Sequence, residues 1–306
     1  MRQGGGRPWY SYVLTLAVIA ALVYYIHENI GEIRRYQFHF QWTLMIAGFL
    51  SSIAGLMMMF LAWERLSRCF GLTAPRSRAA RAFFTSQLGK YVPGKVGLVL
   101  VRMDSYRGYS RRTVALATGI EYVLSFVSAC ILVLVSTLFV RSGLPGMVKW
   151  LAAGMLAVML VALWPPFLKA AADRVFRLLR RQPVENVPSY GSILVLVLMY
   201  IAAGLLFGLG LFTVLNSLSG LSLEYYLPVT GTFWAATLVG IAAVFAPSGI
   251  GVREGVLMLV LPSFVPEPTV IVGAILIRLV MMGAELSLAG LSRVMDRSSA
   301  QGSTAA

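Results

Sequence analysis

Six apolar runs follow one another along this chain, at about residues 9–26, 42–63, 113–140, 150–168, 191–215 and 269–291. Each is near the ~20 residues that a helix needs to cross a bilayer. Lipid offers a backbone no hydrogen-bond partners, so runs of this kind fold as helices whose bonds close within the segment. Only 12% of the 306 residues are charged and the mean hydropathy is +0.78, whereas a soluble domain is about a quarter charged. The sequence therefore predicts an all-α integral membrane protein, and its connecting stretches are too short for a soluble catalytic domain.

The first run follows Arg2 and Arg7, as a signal peptide would. It ends in His27-Glu28-Asn29-Ile30 without a small-residue cleavage site, so a retained first helix is expected. Cys69 lies in a basic loop and Cys130 in an apolar run, with only His27 and His39 to join them. Neither a disulfide, a metal site nor a cofactor is expected. The net charge of +14 sits in short loops between spans, which points to an anionic cytoplasmic leaflet and away from nucleic acid.

The loops also predict topology. Segments 64–82 and 102–112 are both rich in arginine, yet the apolar stretch 82–101 separates them. A single crossing there would put one of them outside, against the rule that positive loops stay in the cytoplasm. A hairpin that enters and returns keeps both inside. The uncharged flanks of 228–261 suit a second hairpin entering from outside, with limbs long enough to be almost complete helices. The expected plan is six full spans plus two re-entrant helical hairpins in a single membrane domain, both termini cytoplasmic. Residues 9–140 form one repeat with hairpin 82–101, residues 150–291 an inverted second repeat with hairpin 228–261, and 292–306 a polar tail.

Each hairpin carries the same break. Pro93-Gly94-Lys95-Val96-Gly97 and Pro247-Ser248-Gly249-Ile250-Gly251 both place Pro and Gly four residues apart with a β-branched residue before the Gly. A helix restarting after such a break presents free N–H groups and the positive end of its dipole, which suits an anion. Lys90, Lys95 and Arg253 add charge, with Glu254 beside the arginine. This chemistry fits a phosphate or phosphodiester headgroup. The alternative is structural: the breaks kink packed helices, Lys95 snorkels, and Arg253 pairs with Glu254.

Three further charges fall inside spans. Glu121 and Arg278 occupy equivalent positions in the two halves, and Glu285 lies two turns beyond Arg278. An ionised group at that depth needs a partner. The expectation is that Glu121 and Arg278 face each other or line a shared cavity; a static ion pair locking the bundle is the competing reading. Gly204-xxx-Gly208 reads as a helix-packing motif, and Trp9, Trp42 and Trp63 as interfacial anchors at span ends. Arg76, Arg78 and Arg81 read as loop charges that touch anionic lipid. No paired carboxylates and no Ser-His-Asp set are present, so the chain is not expected to be an enzyme.

Gly89-Lys90-Tyr91-Val92-Pro93-Gly94-Lys95-Val96-Gly97 and Ala246-Pro247-Ser248-Gly249-Ile250-Gly251-Val252-Arg253-Glu254-Gly255 together resemble the lysylphosphatidylglycerol synthase transmembrane-domain family. The resemblance covers nearly the whole chain in motif order, spacing and span count. It implies lipid flipping without the aminoacyl-transferase domain of the larger relatives, so lysylation is not implied. Residues carried over are Pro93, Gly94, Lys95, Gly97, Pro247, Gly249, Gly251, Arg253 and Glu254; Ser248 stands where relatives commonly have Gly. The leading expectation is a translocase of the inner membrane for a phospholipid or an isoprenoid-phosphate-linked lipid. An accessory or catalytic subunit of lipid-linked glycosyl transfer and a small organic-anion transporter stay open, as does a homodimer. Proton or ion coupling would fall to Glu121, Glu254 or Glu285. In a chain freed of Cys69 and Cys130, a cysteine at Arg107 is expected to react with an impermeant thiol reagent only from the cytoplasmic side; labelling from outside would overturn the two-hairpin topology.

Overall fold

The computed structural model describes residues 30–91, 97–139, 188–243 and 249–304, with isolated positions between 24 and 28 and between 150 and 174. Every regular element among the described residues is helical. A short α1 (Ile30–Arg35) precedes α2 (Trp42–Cys69), α3 (Arg76–Leu88), α4 (Gly97–Ser105) and α5 (Arg111–Ser136). Then come α6 (Tyr190–Ser219), α7 (Tyr226–Ala242), α8 (Val252–Val260) and α9 (Glu267–Thr304). Four of the described helices are long and apolar enough to cross a membrane: α2, α5, α6 and the Glu267–Asp296 part of α9. They coincide with four of the expected spans. The runs at 9–26 and 150–168 lie largely outside the described residues.

The same order of lengths occurs twice. A 28-residue helix, short helices of 13 and 9, and a 26-residue helix are followed by one of 30, short ones of 17 and 9, and one of 38. Local signals explain several boundaries. The Ser110 and Ser189 hydroxyls accept N–H groups at the starts of α5 and α6. Gly220 ends α6 at φ +67°, where its N–H returns to the Asn216 carbonyl.

The two halves join along α2 and α6. Between transmembrane helices the apolar effect supplies little drive, so close backbone approach and interhelical hydrogen bonds take over. Gly48 and Gly55 lie against Gly210 and Phe207. The Ser51 hydroxyl donates to the Leu206 carbonyl at 2.6 Å. The His39 and Gln41 N–H groups donate to the Leu218 and Ser217 carbonyls, so the start of α2 meets the end of α6. The expected packing motif is used on another face: Gly204 accepts the Trp234 indole N–H at 3.0 Å, and Gly208 sits against Thr230 of α7.

Each pair of short helices is an antiparallel hairpin. At the open end of α3–α4, Arg78 donates to the Ser105 carbonyl at 3.0 Å and the Arg107 carbonyl at 2.5 Å. At the closed end a Cβ on Gly89 would lie 2.7 Å from the Gly97 carbonyl carbon. In α7–α8 a Cβ on Gly249 would lie 3.0 Å from Gly240 Cα, and Gly249 itself has φ +66°. Glycine is required there on both counts. The open end of α7–α8 is closed by stacked Tyr225 and Phe264 rings, 5.8 Å between centroids. The connecting residues, including Pro93, Gly94, Lys95, Pro247 and Ser248, lie outside the described residues. The second hairpin departs from the expectation of two nearly complete limbs. Its 17-residue α7 is about 25 Å long, but the 9-residue α8 is only about 14 Å, because α8 stops at the Leu261-Pro262-Ser263 turn.

The hairpins also exchange partners. α3 packs on α9, and α7 packs on α5, so each first limb rests on the last long helix of the other set. Arg81 and Asp296, 2.8 Å apart, tie the open end of α3–α4 to the end of α9. The two arginine-rich segments judged equivalent by charge thus share one end of the bundle. Arg76, Arg78 and Arg81 fasten that end through Glu64, backbone carbonyls and Asp296, a structural use that the loop reading lacked.

Gly89→Ala is expected to destabilise the protein by about 1–3 kcal/mol, because the added methyl meets backbone that has nowhere to move. Gly119→Ala, at a helical position with nothing within 4 Å, should be neutral or slightly stabilising. Thermal unfolding of the two variants in the same detergent checks the contrast.

Candidate functional site

The closed ends of both hairpins open into one cavity of about 380 Å³. The first contributes Gln87, Lys90 and Leu98, and the second contributes Gly240, Gly249 and Arg253. The long helices add Glu121, Ser125, Tyr200 and Glu285. The rest of the wall is aromatic and aliphatic, notably Phe126, Phe207, Phe233, Trp234 and Leu238. The volume falls within the ~300–1,000 Å³ of small-molecule sites, which likewise combine an apolar wall with a few placed polar groups. A side pocket of about 30 Å³ adjoins it and has room for about one water. Lys90, Arg253 and Arg278 line this side pocket together with Glu254 and Glu285, three cations against two carboxylates.

Buried charges are held as partnered sets. Arg102 of α4 pairs with Glu121 of α5, while Glu254 of α8 pairs with Arg278 of α9. Both pairs join the second limb of a hairpin to the long helix that follows it, with the signs exchanged. Arg102 is completely buried. Its guanidinium lies over the Trp63 ring at 4.1 Å and near Phe83 at 5.1 Å, and its Nε donates to the Ser86 hydroxyl at 3.1 Å. Aromatic faces and a charged hydrogen bond partly replace lost hydration. The Trp63 indole N–H donates in turn to the Tyr106 hydroxyl at 3.0 Å, and burial pushes the Tyr106 phenol above its ordinary pKa range.

On the other hairpin, Gly251 takes φ +82° just before α8, and its N–H donates to Glu254 Oε2 at 2.7 Å. Glu254 therefore caps its own helix with one oxygen and holds Arg278 with the other. Arg253 points elsewhere, over the Phe233 ring at 4.2 Å and toward the Met281 sulfur. Lys90 reaches across from the turn after α3 to Glu285 on α9. Among the described residues, Glu285 Oε2 and the Tyr200 hydroxyl are buried without a hydrogen-bond partner, and both residues line the cavity.

These contacts correct two expectations and one alternative reading. Glu121 and Arg278 do not face each other; each pairs within its own half, because the hairpin limb passes closer than the opposite long helix. Arg253 does not pair with its neighbour, since consecutive helical residues point about 100° apart and Glu254 turns toward Arg278. Trp63 is fully buried and is no interfacial anchor, whereas Trp42 remains exposed. Lys90, Gly249, Arg253, Glu121 and Glu285 line one cavity, while Arg278 and Glu254 line the side pocket that adjoins it. Gly97 packs at the base of the Gly89 turn and Gly251 caps α8.

Sequence reasoning missed Arg102, Gln87 and Tyr200. Arg102 was counted with a basic loop, yet the run 97–101 before it is apolar and continues one helix through it. That continuity was the signal available. Nothing in the sequence singled out Tyr200, which lies in an apolar run like any aromatic filler.

The sequence matches the Lysylphosphatidylglycerol synthase TM region family over residues 12–286. The chain belongs to this family. The match spans both hairpins, the first three described membrane-spanning helices and the fourth as far as residue 286, so every residue lining the cavity lies within the shared region. No curated protein compared with it matches.

Removing one partner of a buried ion pair leaves an uncompensated charge and costs about 3–5 kcal/mol, whereas replacing both by apolar groups is near neutral. Glu121→Leu is therefore expected to lower stability sharply, and Arg102→Met combined with Glu121→Leu to recover most of it. Thermal unfolding in detergent measures both.

Proposed function

We propose that the protein moves a phospholipid or an isoprenoid-phosphate-linked lipid between leaflets, with the anionic headgroup bound between the closed ends of the two hairpins. One observation carries this reading: Lys90 from one hairpin and Arg253 from the other line a single cavity whose remaining wall is largely aromatic and aliphatic. A headgroup gains charge-assisted hydrogen bonds there that replace its lost water, while the apolar wall tolerates acyl or prenyl carbon. Membership of the family supports lipid handling in general terms.

In this reading the two sets of helices are inverted repeats, and the hairpins are re-entrant, dipping in from opposite sides of the inner membrane. The contacts that favour it are the Arg78, Arg107 and Asp296 cluster at the open end of one hairpin and the Tyr225–Phe264 stack at the open end of the other. Each hairpin rests on the other half through α3 on α9 and α7 on α5. A rocking of the halves about the α2–α6 seam would then expose the cavity to each leaflet in turn. The protein acts as a carrier and makes or breaks no covalent bond.

Lys90→Gln combined with Arg253→Gln is expected to abolish transbilayer exchange of fluorescently tagged phosphatidylglycerol and tagged polyprenyl phosphate in vesicles reconstituted with the folded double variant. Unchanged exchange in the folded double variant would overturn the site.

A further inference from the structure

The cavity holds more buried carboxylates than an anion site needs, and they are not bonded alike. Glu254 uses both oxygens, one for Arg278 and one for the Gly251 N–H. Protonating it would uncap α8 and strand Arg278. Glu121 is the counter-ion of Arg102, which has no exposure to water, so a proton on Glu121 would leave a completely buried guanidinium without compensation. Glu285 differs from both. One oxygen holds Lys90 and the other is buried without a partner among the described residues, so a proton can attach there without breaking any hydrogen bond they make. The cation it would release, Lys90, keeps 30% of its side chain exposed, against 1% for Glu285.

We propose that Glu285 is the proton-binding residue of this site, and that the carrier moves one proton with each monoanionic headgroup. The inference rests on the translocation reading above and names its energy source. A phosphate entering the cavity meets Lys90 already engaged by a carboxylate. With Glu285 ionised, phosphate and carboxylate compete for the same ammonium and repel each other. Once Glu285 takes a proton from cavity water on Oε2, it becomes a neutral donor. Lys90 then pairs with one phosphate oxygen and the Glu285 O–H donates to another. The added proton offsets the added negative charge, so the charge of the apolar bundle is the same full or empty. That equality removes the cost of carrying a net charge through low dielectric. When the headgroup leaves, Lys90 recaptures the carboxylate and the proton returns to water on the new side.

The groups facing Glu285 agree with this role. Among the described residues, Lys90 comes from the turn after α3, Arg253 and Glu254 from α8, Arg278 from its own helix, and Glu121, Tyr122 and Tyr200 from across the cavity. The cavity linings from α2, α4 and α7 bring no further charge: Leu56 and Met59, Leu98, and Phe233 to Ile241. A transmembrane pH difference would therefore act on the bound lipid chiefly through this one carboxyl.

The test uses the full chain in phosphatidylcholine vesicles carrying traces of tagged phosphatidylglycerol, whose phosphodiester stays monoanionic, with exchange measured between pH 8 and pH 6; tagged polyprenyl phosphate, whose monoester itself titrates in this range, is followed only for whether it exchanges. Wild-type exchange is expected to be at least about tenfold faster at pH 6 than at pH 8. Glu285→Gln, a permanent mimic of the protonated state, should exchange quickly with no pH dependence, and Glu285→Asp should keep the dependence. With a trapped pH-sensitive dye, an imposed pH difference should drive proton entry with lipid in the wild type and not in Glu285→Gln. Exchange that is equally fast at both pH values in the wild type, or equally pH-dependent in Glu285→Gln, would overturn the proton role while leaving translocation intact. Absence of exchange of either lipid at any pH in the folded wild type would overturn translocation and this inference together.

Discussion

Two ion pairs of opposite polarity hold the interior of this protein in place. Arg102–Glu121 and Glu254–Arg278 each tie a short hairpin limb to the long helix after it, and neither limb is long enough to cross a membrane alone. A nine-residue helix in isolation is marginal even in water. Here a buried charge makes its position specific, because any other register would leave an ionised group in apolar surroundings. The aromatic faces of Trp63 and Phe83 partly replace the lost hydration of Arg102, and the capping bond from the Gly251 N–H adds to that of Glu254.

With the second limbs fixed, the glycine contacts decide how tightly the hairpins close. Gly89 on Gly97 and Gly240 on Gly249 bring backbone to backbone at the two turns. The helices stop there and their closed ends face a common space instead of filling it. The cavity exists because two short helices from each half end inside the bundle where long helices would have continued. Its asymmetric lining follows from what each turn carries: Lys90 on one side, Arg253 on the other, and the aromatic residues of α6 and α7 between them.

The exchanged packing, with α3 on α9 and α7 on α5, couples the halves. The α2–α6 seam supplies the fixed side of that arrangement, since its small residues and the Ser51 hydrogen bond leave little room to slide. Lys90–Glu285 is the contact within the cavity that links the first hairpin turn to the last long helix, and it is the one an anion would have to loosen.

The amino-acid sequence by itself determined the helical membrane class, four described spans and the places where short helices stand between the long ones. Hydropathy over about twenty residues and the punctuation by Pro and Gly are local properties, legible without knowing any neighbour. It also marked Glu121, Arg278 and Glu285 as buried charges in need of partners, since their cost in an apolar run is evident from the run alone. Which partner each takes was decided only by the tertiary structure. The partners lie on separate helices, and pairing depends on how closely those helices pass, a distance that no spacing along the chain encodes. For the same reason Arg102 looked like a loop charge and Tyr200 like filler until the packing of α4 on α5 and of α6 around the cavity gave them their surroundings.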